Sequence, residues 1–64
     1  MNVSINNKET QLPDGITVRQ LLALRKMKRA AVWINETQLL SAEYDTRIIK
    51  ENDQIKLLRL VGGG

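Results

Sequence analysis

The residue types that most often carry out chemistry are missing from this chain, which has no cysteine and no histidine. The first absence excludes disulfides, thiolate nucleophiles, side-chain persulfides and thiolate metal sites. The second removes the commonest general base and the commonest metal ligand. No Ser-His-Asp or Cys-His arrangement can be built. What remains is a backbone feature, Gly62-Gly63-Gly64 at the end of the sequence. A run of this kind can be a frayed terminus. Three observations argue for more: the glycines follow directly on a patterned segment, Ile55-Lys56-Leu57-Leu58-Arg59-Leu60-Val61, no residue follows them, and the rest of the chain is of a size to present them.

Size limits what else the chain could do. Sixty-four residues make one domain, and a domain this small buries only about 60% of the surface its unfolded chain exposes. A sizeable catalytic cleft would compete with the core for the same apolar residues. The N-terminal Met1-Asn2-Val3-Ser4 lacks a basic segment followed by an apolar stretch, so no signal peptide is expected and the reading is cytoplasmic. No apolar run is long enough to span a bilayer. Net charge is +3, and the densest run is Arg25-Lys26-Met27-Lys28-Arg29. It reads as a helix C-terminus whose cations complement the dipole. Trp33 and Tyr44 are the only aromatics, so no stacking platform for nucleic acid is visible.

The elements that must position the tail follow from pattern. Met1, Val3 and Ile5 alternate with polar residues, which argues for a half-buried strand. Asn6-Asn7 is a turn pair, and Lys8–Leu12 forms a second strand. Pro13-Asp14-Gly15 punctuates the chain. Thr17 and Gln20 fit a capping box, with Ile16 and Leu21 at the flanking staple positions. The spacing predicts a helix with Val18, Leu21, Leu22 and the Arg25 stem along one stripe, Leu24 and Met27 beside it, and an end near Lys28. Ala31–Ile34 is a strand by its β-branched and aromatic content, and Asn35-Glu36-Thr37 a turn. Ser41–Tyr44 is a short helical turn capped by Ser41, Ile48-Ile49 a short strand, and Gln54–Val61 the last strand. This order predicts an α+β domain with one main helix on one face of a mixed sheet of four to five strands.

On the Val3-Ser4-Ile5-Asn6 start, Thr17-Val18 opening a Leu-rich helix, Val32-Trp33-Ile34-Asn35, the Asn52-Asp53-Gln54-Ile55 turn and the terminal Val61-Gly62-Gly63-Gly64, the whole chain resembles the sulfur carriers of bacterial thiamin biosynthesis. These are the ThiS family, within the ubiquitin-like β-grasp class that also holds the molybdopterin-synthase small subunit. The resemblance implies a β-grasp domain over residues 1–61 and a flexible glycine tail over 62–64. It implies that the chain is a protein cosubstrate and not itself an enzyme. Sulfur would be held as a thiocarboxylate at Gly64, after a ThiF-like, E1-like enzyme adenylates that carboxylate with ATP. A sulfur donor enzyme would displace AMP, and a ThiG-like thiazole synthase would accept the sulfur. No cofactor and no metal would be bound by this chain, and neither nucleic acid nor membrane would be a partner. Gly62 and Gly63 would thread the partner's active site, since a backbone without Cβ adopts whatever φ a narrow slot requires. Three extended residues reach about 10 Å. Gly62 stands where some relatives have a small non-glycine residue.

In the last strand Ile55 and Leu57 should face the core, with Lys56, Leu58 and Leu60 on the other side. Trp33 is out of phase with Val32 and Ile34. Leu58, Leu60 and Trp33 would then form an apolar patch for partners; alternatively, Trp33 folds over a sheet edge or under Ser41–Tyr44. Arg59 is on the inward phase but lies past the core, where it would flank the tail. Two other functions stay open. One keeps the carrier chemistry for molybdopterin, another sulfur pathway or a protein modifier; the other is a basic β-grasp binding module with an incidental tail.

Overall fold

Asparagine-led turns, one α-helix and five short strands organise the described residues. The computed structural model describes residues 1–60. Strand β1 (Asn2–Ile5) turns through Asn6 and Asn7, whose φ values of 50° and 68° are the left-handed pair a tight hairpin needs, into β2 (Lys8–Gln11). Helix α1 (Val18–Leu24) follows, then β3 (Ala30–Ile34). Asn35 and Glu36, at φ 51° and 72°, make a second hairpin into β4 (Thr37–Gln38). A 3-10 turn spans Ser41–Glu43, and β5 (Gln54–Arg59) ends the sheet.

The strand order is β2-β1-β5-β3-β4. β5 lies at the centre, parallel to β1 and antiparallel to β3. Both hairpins are antiparallel, so the sheet is mixed. With the helix on one face this is a ubiquitin-like β-grasp. Val3 and Ile5, Ile55 and Leu57, and Ala30, Val32 and Ile34 bury one sheet face against Val18, Leu21 and Leu22 of α1. The i, i+3, i+4 spacing of those helical residues gives the single apolar stripe such packing needs. Leu12, Ile16, Leu39, Tyr44 and Ile49 close the core from the loops. The Tyr44 hydroxyl donates to the Ala30 carbonyl at 2.9 Å, which satisfies its buried oxygen.

The expected capping box is present: the Gln20 N–H donates to Thr17 Oγ1 at 3.2 Å and the Thr17 N–H to Gln20 Oε1 at 2.9 Å. Several local expectations change. The helix stops at Leu24, not near Lys28. Lys26 turns left-handed at φ 55°, its N–H donates to Ala23 O and the Met27 N–H donates to Leu22 O. This pair of bonds is a Schellman motif, with Met27 as the apolar residue packed back on the core. The short turn is capped by Leu40, not Ser41; the Leu40 N–H donates to the Glu43 carboxylate at 2.8 Å. Thr37 belongs to a strand rather than to the turn. Ile48 and Ile49 form no strand of the sheet. Ile48 makes a single bridge to Thr17, because the chain entering the helix supplies the nearest free backbone groups, and Ile49 N–H donates to Ile16 O at 2.9 Å. The last strand stops at Arg59, with Leu60 beyond it, and Val61 lies outside the described residues.

Candidate functional site

The central strand is the element that leads to the glycines. Its even-numbered residues exchange backbone hydrogen bonds with β3, as the Asn35 N–H to Gln54 O bond of 2.8 Å and the Leu60 N–H to Arg29 O bond of 3.1 Å show. Its odd-numbered residues face β1: Ser4 N–H donates to Asp53 O at 3.0 Å and Asn6 N–H to Ile55 O at 2.9 Å. Where β1 ends, the Asn6 side chain takes over. Its Oδ1 accepts from Leu57 N–H at 2.9 Å and its Nδ2 donates to Leu57 O at 3.2 Å. A side-chain amide thus extends the parallel ladder past the turn. The origin of β5 is pinned as firmly. Asp53, almost fully buried, accepts from Asn35 Nδ2 at 3.1 Å and from the Lys50 N–H at 2.8 Å. Asn35 Oδ1 accepts from the Gln54 N–H at 3.0 Å.

β5 is therefore anchored on both sides up to Leu57 and on the β3 side up to Leu60. Gly62, Gly63 and Gly64, expected to carry the chemistry, lie outside the described residues.

The face of the sheet opposite α1 carries two of the other expected site residues, Leu58 and Trp33. Leu58 lies opposite Ala31 and is 52% exposed. Trp33 lies opposite Lys56, one diagonal step from Leu58, and is half-buried. The Lys56 ammonium stands 5.5 Å from the Trp33 ring centroid, within cation–π range. Trp33 thus faces the open side and neither folds over an edge nor sits under Ser41–Tyr44. Leu60, 49% exposed, sits past the end of the strand with Leu40, Ala31 and Gln38 around a shallow recess. Leu58 and Trp33 share the open face, where Lys56 divides Trp33 from a continuous apolar surface, whereas Leu60 lines recesses at the end of the sheet that also take in Ala30, Tyr44 and Arg59. Beside Trp33 a wide groove of about 760 Å³ is lined mainly by polar groups, among them Ser4, Asn6, Gln54 and Lys56. Among the described residues no three acidic side chains gather as a metal ion would require. No described helix is long and apolar enough to cross a membrane.

Sequence reasoning missed the roles of Asn6 and Asn35 in holding β5. Their signal was their place beside tight turns, where asparagine is also the residue that tolerates positive φ. A model of the ThiS family matches residues 2–64, from the first strand through the last glycine. The chain belongs to the ThiS family. That family consists of small sulfur carriers of thiamine biosynthesis. Solved structures agree with the ThiS assignment. A crystal structure of the thiamine biosynthesis protein ThiS from Geobacter metallireducens matches with a TM-score of 0.84 at 26% identity, over 100% of both chains. A solution structure of a thiamine biosynthesis protein from the same organism matches with a TM-score of 0.82 at 26% identity, over 100% of this chain and 88% of that one. No curated protein matches the chain.

Proposed function

We propose that this ThiS-family chain carries sulfur as a thiocarboxylate on Gly64 and delivers it for thiazole formation in thiamine biosynthesis. The observation that carries the reading is the extent of the family match, which runs through Gly64. The geometry supports it: β5 is held on both sides and its carboxyl end leads directly to the glycines. The chemistry assigns every catalytic step to partners. A carboxylate is a poor acyl donor until activated. A ThiF-like, E1-like adenylating enzyme joins it to the AMP moiety of ATP and releases pyrophosphate. Sulfide-level sulfur (HS⁻) released by a sulfur donor enzyme then attacks the acyl carbon, the acyl–phosphate bond breaks and AMP leaves with the electron pair, which gives the thiocarboxylate and a proton. A ThiG-like thiazole synthase takes the sulfur and returns the carboxylate. The chain itself contributes a rigid mount, a thin tail and a docking face built from Leu58, Leu60 and Trp33. Gly62 and Gly63 pass through the partner's channel because they have no side chain to obstruct it.

The test is a mass measurement. Protein incubated with its adenylating enzyme, ATP and a sulfur source gains one oxygen-to-sulfur exchange, located on Gly64. Truncation after Gly62 abolishes the gain without lowering stability. Extension by one residue moves the carboxylate by about 3.3–3.6 Å and off glycine, and also abolishes it. Gly63→Val slows the exchange while the fold is unchanged. Sulfur gained by the truncated or extended protein would remove Gly64 from the role. A label that ends in an isopeptide bond to another protein would make the chain a modifier.

A further inference from the structure

Five of the chain's ten cations stand at the end of the molecule where β5 finishes. Arg25, Lys26, Lys28 and Arg29 occupy the loop between α1 and β3, and all four are exposed. Arg59, also exposed, pairs with Ala30 at the start of β3. Lys26, Lys28, Arg29 and Arg59 line one recess of about 350 Å³ with Leu60, the last described residue before the tail. Among the described residues the ion pairs are Met1 ammonium with Asp14 and Arg19 with Asp45. The five cations at the tail end therefore stand together, and none of them is paired with a carboxylate among the described residues.

Nothing in the fold requires them. Cations near a helix C-terminus are usually explained by the helix dipole, an effect that fades beyond the last turn. The last turn of α1 holds no basic residue, and its free carbonyls at Leu22 and Ala23 are already met by the N–H groups of Met27 and Lys26. Lys26 even occupies a left-handed position, φ 55°, that glycine fills with less strain.

We infer that this basic end is a collar around the root of the tail that docks on an acidic rim at the mouth of the adenylating enzyme's tail channel. The inference rests on the carrier reading and specifies how the partner is recognised. Distance selects protein carboxylates over the phosphates of ATP. Gly64 lies four residue steps beyond Leu60, so a fully extended tail places the collar up to about 13–14 Å from the reacting carboxylate. At that separation the collar meets the surface around the channel while Gly64 meets the nucleotide. Nucleic acid fits less well, because a single-strand site stacks bases on aromatics. Trp33 has Lys56 over its ring, and Tyr44, although it lines a recess with Lys28 and Arg29, is buried with its hydroxyl bonded and Arg19 over its ring, so neither offers the collar a free face for stacking. A compact patch of one sign accelerates encounter with an oppositely charged cleft by about 10–10³-fold, and this gain falls steeply with salt.

The experiment compares two doubly reversed variants with the same change in net charge. K28E/R59E reverses the collar; K8E/K50E reverses two exposed cations outside it. Association with the ThiF-like enzyme is followed by stopped flow from low to high salt, beside the mass assay for sulfur on Gly64. We expect K28E/R59E to associate at least about 10-fold more slowly at low salt, with most of the salt dependence gone. K8E/K50E should stay near the unaltered protein. Equal losses in both variants, or none in either, would overturn the collar. So would tight binding of a labelled single-stranded RNA at physiological salt that K28E/R59E abolishes, because the patch would then serve nucleic acid. Collar-dependent association with no sulfur gained would keep the collar and refute the thiocarboxylate reading. Sulfur gained with no difference between the two variants' association rates would do the reverse.

Discussion

Asn6 does two jobs that pull in the same direction. Its backbone sits at φ 50° and so turns the chain, and its amide closes two hydrogen bonds on Leu57. Asn6→Gly separates the jobs, since glycine keeps the turn and deletes the amide. We expect a net loss of about 1 kcal/mol, read from the urea midpoint, because two bonds of about 0.5–1.5 kcal/mol each outweigh the relief of backbone strain. Glu36 is the opposite case. At φ 72° it occupies a hairpin position where glycine is preferred, and no side-chain hydrogen bond of Glu36 is seen among the described residues. Glu36→Gly should stabilise the protein by up to about 1 kcal/mol, raising the denaturation midpoint. The turns themselves were legible in Asn6-Asn7 and Asn35-Glu36. The bonds from Asn6 to Leu57 were not, because they join residues 51 apart in the chain, a distance at which local pattern carries no information.

Elements were legible in proportion to their periodicity. α1 and the strands β1, β3 and β5 announce themselves by spacing, and each occurs in the expected stretch of the chain, although α1 and β5 end earlier than expected. The end of α1 was obscured by Arg25–Arg29, residues with good helix propensity that say nothing of the left-handed turn at Lys26. β4 has only two residues, too few to show an alternation. Ile48 and Ile49 have strand-forming side chains, but a single bridge to Thr17 replaces a ladder. The packed elements should be intolerant of truncation. Leu21 is 1% exposed and Leu57 7%, so alanine at either should cost about 2–5 kcal/mol by chemical denaturation. That is a large share of the about 5–15 kcal/mol that holds a domain together. The open face should behave differently. Leu58→Asp should leave the fold intact and weaken binding to the adenylating enzyme, measured by titration calorimetry. Trp33→Asp should do the same and in addition lose the contact with Lys56. A folded Leu58→Asp protein with unchanged affinity would remove the face from the docking surface.

At the scale of the molecule, the β-grasp was legible because its hairpin, helix and closing strands carry distinct patterns. The placement of the collar was not. The basic run Arg25–Arg29 is local in sequence, but Arg59 joins it only because β5 ends where β3 begins. The same central position of β5 has a mechanical consequence. β1 and β5 are parallel neighbours, so a pull on the tail against the N-terminal strand loads the bonds at Asp53, Ile55 and Leu57 sideways and all together. They must rupture as a group instead of opening one after another like a zipper. Handles at residues 1 and 60 should therefore need a much larger rupture force than handles at residues 7 and 60, which peel the same two strands from one end. A domain mounted in this way can have its last residues gripped, dragged into a narrow channel and released again without being unravelled by the tension.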